Sequence, residues 1–229
     1  MDWKKKRLRI SKVVDFGLVV MSLLAACKDS TVSEKSSRVV SLPYYQDASF
    51  TPNWLSTNSA ETDAFHSIPD FNLVNQLGDT ITHASFENTI YVTDFFFTIC
   101  PGICPKMTDN MLILQKAFLE DDEVRFLSHS VTPKRDSVAV LKEYADNKGI
   151  IDNKWHLVTG DRTEIYDLGR NHYFVEEDLG IERDDDDFLH TENFLLIDKK
   201  KHIRGIYNGL NKAAINQLIV DIKTLKQEG

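Results

Sequence analysis

Residues 89–108 read TIYVTDFFFTICPGICPKMT. From Thr89 to Thr98 every position except Asp94 is β-branched or aromatic, the composition of a strand covered on both faces. At its C-terminal end stand Cys100 and Cys104, with three residues between them and a proline after each. Beyond them Met107, Met111, Leu114 and Phe118 recur at three- and four-residue intervals, which predicts an amphipathic helix running to about Glu120. Pro101 suits a first-turn position, where its missing N–H would have no partner in any case. The expectation is a buried strand that passes through a cysteine turn into a helix.

The segments on either side extend this unit. Downstream, EVRFLSHSV (123–131) reads as a strand, and residues 136–149 as a helix with Asp136 as N-cap and Gly149 near its end. WHLVTG (155–160) follows as a strand and residues 161–173 as a further helix. Alternation of strand and helix implies a largely parallel sheet with helices on its faces. The acidic stretch 174–189 breaks the rhythm and reads, with its run Asp184–Asp187, as a solvated loop. TENFLLID (191–198) and HIRGIYNG (202–209) form a hairpin across the Lys199–Lys201 turn, and a closing helix carries Ala214, Leu218, Ile222 and Leu225 in phase. Upstream, residues 71–86 predict a hairpin around Leu77–Asp79, and residues 42–55 an irregular arm on the domain surface. The whole is an α/β layout of the thioredoxin-like kind: a central, mostly parallel sheet flanked by helices, with an N-terminal hairpin extension.

The chain has 229 residues, 42% of them hydrophobic, and a formal net charge of −8, an ordinary globular composition. Residues 1–26 differ. A basic KKKRLR precedes an apolar stretch, Phe16–Ala26, that is too short for the ~20 residues of a membrane-spanning helix and has the form of an export signal. Its ending LLAAC resembles the lipobox of bacterial lipoproteins, which makes Cys27 the expected lipidation site. Residues 27–41, Ser-rich and polar at first, read as a flexible tether, and 42–229 as the domain. Without residues 1–26, 21 basic side chains face 33 acidic ones, a net charge of −12. That balance argues against nucleic acid, whose binding is dominated by basic contacts to phosphate.

If Cys27 carries lipid, Cys100 and Cys104 are the only thiols left. A structural staple gains more from a longer loop than this one closes, so the pair is expected to be chemical. On one helical face their Cα atoms would lie about 6 Å apart, within the ~4.4–6.8 Å range of a disulfide. A helix N-terminus also favours thiolate over thiol, which serves redox chemistry and metal ligation alike. Two thiolates suit a soft ion such as Cu(I), and an imidazole would complete the site. His66, His83, His129, His156 and His172 fall at positions expected to be structural or solvated, and His202 follows the lysine turn. His190 is different. It precedes NFLLID, at the place where thioredoxins carry a cis-proline beside the cysteine turn, and LHTEN here has no proline. His190 is therefore the expected third donor.

Together these residues resemble the Sco/SenC family of respiratory-chain copper chaperones. The resemblance rests on DFFFTICPGICPKMT (94–108), SVTPKRDS (130–137) and DFLHTENFLLID (187–198), in that order. It implies one copper ion, Cu(I) or Cu(II), on Cys100, Cys104 and His190. It further implies delivery to, or preparation of, the binuclear copper site of cytochrome c oxidase subunit II, with another respiratory copper protein as the alternative partner, by a lipoprotein anchored in the cell envelope and facing the periplasm. Thr132 departs from the family, which usually has Asp there. A Cys100–Cys104 disulfide would be the resting or preparatory state. The competing reading is a thiol–disulfide oxidoreductase with Cys100 attacking and Cys104 resolving. A peroxidase fits less well, because Phe97 stands where peroxiredoxins have Thr or Ser.

Overall fold

Residues 39–56, 59–175, 189 and 191–228 are described by the computed structural model. The expected signal peptide, Cys27, most of the tether, the acidic run and His190 lie outside the described residues. Helix α1 (Ala60–Asp63) is a single turn closed by a capping box between Ser59 and Thr62. Strands β1 (Leu73–Asn75) and β2 (Thr80–Ile81) form the expected hairpin, turning at Gly78, whose φ of 85° is open to glycine at little cost. Then come β3 (Ile90–Phe96), α2 (Cys104–Ala117), β4 (Val124–Ser130), α3 (Val138–Lys148) and β5 (Trp155–Thr159). A short helix α4 (Arg162–Asp167), capped by Asp161, runs on into a wider π turn at Leu168–His172. Strands β6 (Asn193–Ile197) and β7 (Ile203–Asn208) and helix α5 (Lys212–Gln227) complete the fold.

Among the described residues seven strands make one sheet in the order β2-β1-β5-β4-β3-β6-β7. Its parallel part is the centre, where β4 lies between β3 and β5, and both flanks run antiparallel. β3 is buried at every position, as its apolar composition requires, and its side chains alternate between two cores. Ile90, Val92 and Phe96 pack with Met107, Met111 and Leu114 of α2 and with Leu218 and Ile222 of α5. Tyr91 and Phe95 pack on the other face with Leu127, Ile165, Tyr173 and Leu189. Each large apolar side chain removed from water in this way contributes about 1.5–3 kcal/mol. Because β3, β4 and β5 share one direction, their C-terminal ends open at one edge, where α/β folds commonly place their ligands.

Two local expectations are corrected. The helix after β3 begins at Cys104, not near Pro101: Ile103 is its N-cap and Pro105 its first-turn proline, so Cys100 lies in the turn before the helix rather than on its face. Pro101 and Pro105 satisfy the same rule, and the Cys100 N–H bond to the Phe97 carbonyl at 3.3 Å commits residues 97–100 to a turn of their own. The cap of α3 is Ser137, which accepts from the Val140 N–H, and Asp136 is turned inward.

The arm 42–55 is more than a surface covering. Leu42 and Tyr44 are buried, and Tyr45 bridges to Ile203 at the start of β7. The buried Arg204 donates to the carbonyls of Leu42 (2.7 Å) and Pro43 (3.1 Å), pairs with Asp198, and lies over the Tyr44 ring at 3.8 Å. Leu42 in turn donates its N–H to Glu228 at 2.7 Å, which ties the arm to the end of α5. Among the described residues no helix is long and apolar enough to cross a membrane.

Candidate metal centre

Cys100 and Cys104 are free thiols beyond the C-terminal end of β3, close enough for each side chain to influence the other's ionisation. Their surroundings differ. Cys104 opens α2 and is buried, and that burial, together with the neighbouring Cys100 side chain, pushes its thiol up to about 12. Cys100 is half-buried. Its partial burial opposes charge, yet the Cys104 thiol and the backbone N–H groups of Cys104, Gly102 and Ile103 all point at its sulfur and hold its pKa below the ordinary thiol value. Backbone N–H groups converging ahead of a helix make an anion-binding nest. Charge is thus favoured on Cys100 more than on Cys104, and Ile99 and Ile103, 51% and 36% exposed, rim the pair with apolar surface.

Two buried carboxyl groups lie near this turn, and the sequence alone assigns chemistry to neither. Asp94 sits on the β3 face that α2 covers, fully enclosed, and burial raises its pKa to about 7. Ser128, its direct partner in the β3–β4 register, donates a hydroxyl to it, and Trp155 Nε1 donates to Ser128 at 2.8 Å. The signal for Asp94 was its lone charge inside an apolar strand. Asp136, fully buried, accepts the hydroxyls of Thr98 (2.6 Å), Ser130 (2.6 Å) and Thr132 (2.9 Å). Thr132, where the resemblance leads one to expect Asp, is therefore a donor to this carboxyl group.

The histidines expected to be structural are so placed. His129 is fully buried on β4, stacked on Phe95 at 4.7 Å with Nδ1 3.1 Å from the Thr93 hydroxyl, and burial drives its pKa down to about 3. His156, also buried, contacts Asn75 at 3.2 Å. His202, which follows the lysine turn, is buried beside Asp198. Among the described residues no cluster of three or more His, Cys, Asp or Glu is arranged to hold a metal ion, so the two thiols stand there without a third donor. His190 lies outside the described residues, but both of its neighbours are buried: Leu189 packs in the cluster of Phe95, and Thr191 accepts the Asn193 N–H at 3.1 Å. The antiparallel register of β6 on β3 brings the start of β6 to the same end of the sheet as the cysteine turn.

A dithiol at the end of a central parallel strand, at the mouth of a helix and on a mixed sheet closed by an antiparallel hairpin and helix, defines a thioredoxin-like dithiol protein. Within that class the chain belongs to the SCO1/SenC family, whose model matches residues 59–227. It is similar to a crystal structure of a SCO1/SenC family lipoprotein from Bacillus anthracis, with 28% identity, TM-score 0.61, and coverage of 70% of this chain and 95% of that one. It is also similar to BsSco, described as a member of the Sco family of cytochrome c oxidase assembly proteins with a disulfide switch, at 28% identity and TM-score 0.60 over 71% of this chain and 94% of that one. ScoI of Bradyrhizobium japonicum, solved with copper bound, is 25% identical with TM-score 0.55 over 70% of this chain and 99% of that one.

Proposed function

We propose that this protein is a membrane-tethered copper chaperone that holds one copper ion on Cys100, Cys104 and His190 and passes it to, or prepares, the binuclear copper site of cytochrome c oxidase subunit II. The observation that carries the reading is the unequal thiol pair at an accessible, apolar-rimmed end of the sheet. Two thiolates and one imidazole form a soft, low-coordinate set suited to Cu(I). Three ligands at a lip release an ion by stepwise ligand exchange more readily than a closed four-ligand cage, and exposed Ile99 and Ile103 offer a protein partner something to rest on. The copper-bound ScoI and the assembly role given for BsSco support the same reading. Cys27 would carry the lipid, with residues 1–26 removed, 27–41 as the tether and 42–229 as the domain on the periplasmic side; that a similar protein of Bacillus anthracis is a lipoprotein supports the lipid anchor.

The dithiol is the loading form. A Cys100–Cys104 disulfide takes two electrons and two protons from a dithiol donor, which becomes a disulfide itself, and only then are two sulfurs free to bind the ion. Competitive Cu(I) titration tests the proposal. We expect one ion per chain and a loss of at least tenfold in affinity for each of Cys100→Ser, Cys104→Ser and His190→Ala. Undiminished affinity in His190→Ala would remove the histidine from the site.

A second reading, thiol–disulfide exchange on a partner protein, is favoured by the same asymmetry, since an attacking thiolate and a buried resolving thiol are what exchange requires. Turnover of a disulfide substrate that survives His190→Ala but not Cys100→Ser would mark it.

A further inference from the structure

Asp136 is fully buried, and Ser137 already caps α3, so helix capping does not account for it. Its two oxygens have different partners. Oδ1 accepts the Thr98 hydroxyl at 2.6 Å. Oδ2 accepts the Ser130 hydroxyl at 2.6 Å, the Thr132 hydroxyl at 2.9 Å and the Thr98 N–H at 3.3 Å. One oxygen therefore serves the cysteine turn, while the other anchors the carboxyl group mainly to the end of β4.

The place of Thr98 in the chain gives this pattern its meaning. The β3–β4 ladder ends with the Phe96–Ser130 pair and the Val131 N–H bond to the Phe96 carbonyl at 2.9 Å. Beyond it, Thr98 is attached to the β4 side through Asp136, 38 residues away in sequence. Thr98 is two residues from Cys100, inside the turn closed by the Cys100 N–H on the Phe97 carbonyl. An attachment at Thr98 therefore fixes where that turn sits relative to Cys104 and the start of α2. Buried hydroxyl-to-carboxylate bonds are short, directional and costly to leave unmade, so they suit a fixed anchor.

We propose that Asp136 is a positioning residue for the thiol pair: by holding Thr98 through both its hydroxyl and its N–H, it keeps the Cys100 sulfur within bonding reach of Cys104. The proposal rests on Cys100 and Cys104 being the working pair, and needs no copper. A carboxyl group that merely braces the corner between β4 and α3 would stabilise the protein without affecting the sulfurs.

The test separates these two roles by cutting the two oxygens' bonds independently. In metal-free protein equilibrated with glutathione buffers, the disulfide equilibrium constant reports how well the two sulfurs are held together, and Tm reports the brace. Thr98→Val, which keeps shape and removes the Oδ1 donor, should lower the disulfide constant about tenfold, the order expected when orientation is loosened. Asp136→Ala should lower it at least as far, and Asp136→Asn, which retains one acceptor oxygen for Thr98, should fall between wild type and Asp136→Ala. Ser130→Ala should lower Tm while leaving the constant within about twofold. Should Asp136→Ala not fold, Thr98→Val decides the matter. Disulfide constants within twofold of wild type in Thr98→Val and Asp136→Asn, with Tm lowered as in Ser130→Ala, would overturn the proposal. Since no metal enters the measurement, such a failure is distinct from failure of the copper reading, which the Cu(I) titration of the cysteine and histidine variants addresses.

Discussion

Ser128 donates its hydroxyl to Asp94 from the directly opposed position on β4, and among the described residues no charged group pairs with that carboxyl. Burial raises the Asp94 pKa from 3.8 to about 7, so between those values the folded chain keeps a proton that the unfolded chain has released. Stability contributed by this group is full at low pH, falls as pH rises through that interval, and levels off above about 7. Asp94→Asn, which can still accept from Ser128, should be the more stable protein at pH 8, by up to about 4 kcal/mol, and lose the advantage near pH 4. Urea unfolding at the two pH values checks this, and parallel curves for the two proteins would refute it.

His129 acts in the opposite sense. Its pKa is depressed to about 3 by burial, so the unfolded chain takes up a proton below 6.5 that the folded chain refuses, and its contribution is lost as pH falls. His129→Phe keeps the stack on Phe95 and should lose about 2 kcal/mol less than wild type between pH 6.5 and 5. An equal acid loss in both proteins would place the lability elsewhere, His156 being the next buried imidazole.

How far the sequence anticipated all this differs from residue to residue. The strand read at Thr89–Thr98 is β3 at Ile90–Phe96, because a run buried on both faces leaves its mark on every side chain. The start of α2 was misplaced by one turn because Pro101 and Pro105 both suit a first turn, and its cap, Ile103, makes no side-chain bond that could have announced it. Asp136 read as a cap because an acidic residue ahead of a helical period usually is one; only the fold brings Thr98 to it across 38 residues. His202 follows three lysines in the sequence, yet Lys201 at φ 71° turns the chain and carries His202 inward to Asp198. Long-range partners of this kind leave no periodic trace.

Unequal thiols make a simple chemical prediction. A single equivalent of iodoacetamide at neutral pH should modify Cys100 almost exclusively, since Cys104 is buried and its pKa is pushed up to about 12. Peptide mass mapping of Cys100 and Cys104 reads the outcome, and label appearing first on Cys104 would reverse the assignment of attacking and resolving sulfur.

Gly169, which packs against the sequence neighbour of His190, offers a test of the proposed part of that histidine. A Cβ there would meet Leu189 Cδ1 at 2.6 Å and the Phe95 ring at 3.1 Å, so Gly169→Ala must displace the residue next to His190. We expect a stability loss of about 1–3 kcal/mol from the overpacking. We also expect weaker Cu(I) binding than in a variant of equal Tm altered on the opposite core, such as Leu218→Ala. Equal affinities in the two would detach Leu189 from the site.

The arm that Arg204 clasps has a consequence for how the molecule faces its surroundings. It joins the sheet at Ile203, paired with Ile197, whereas the cysteines lie beyond the opposite end, where Asn193 pairs with Asn208. The chain thus enters the domain at one pole and displays its sulfurs at the other. On the proposal of an N-terminal anchor, attachment at the one pole would leave the opposite, sulfur-bearing pole free to meet a partner.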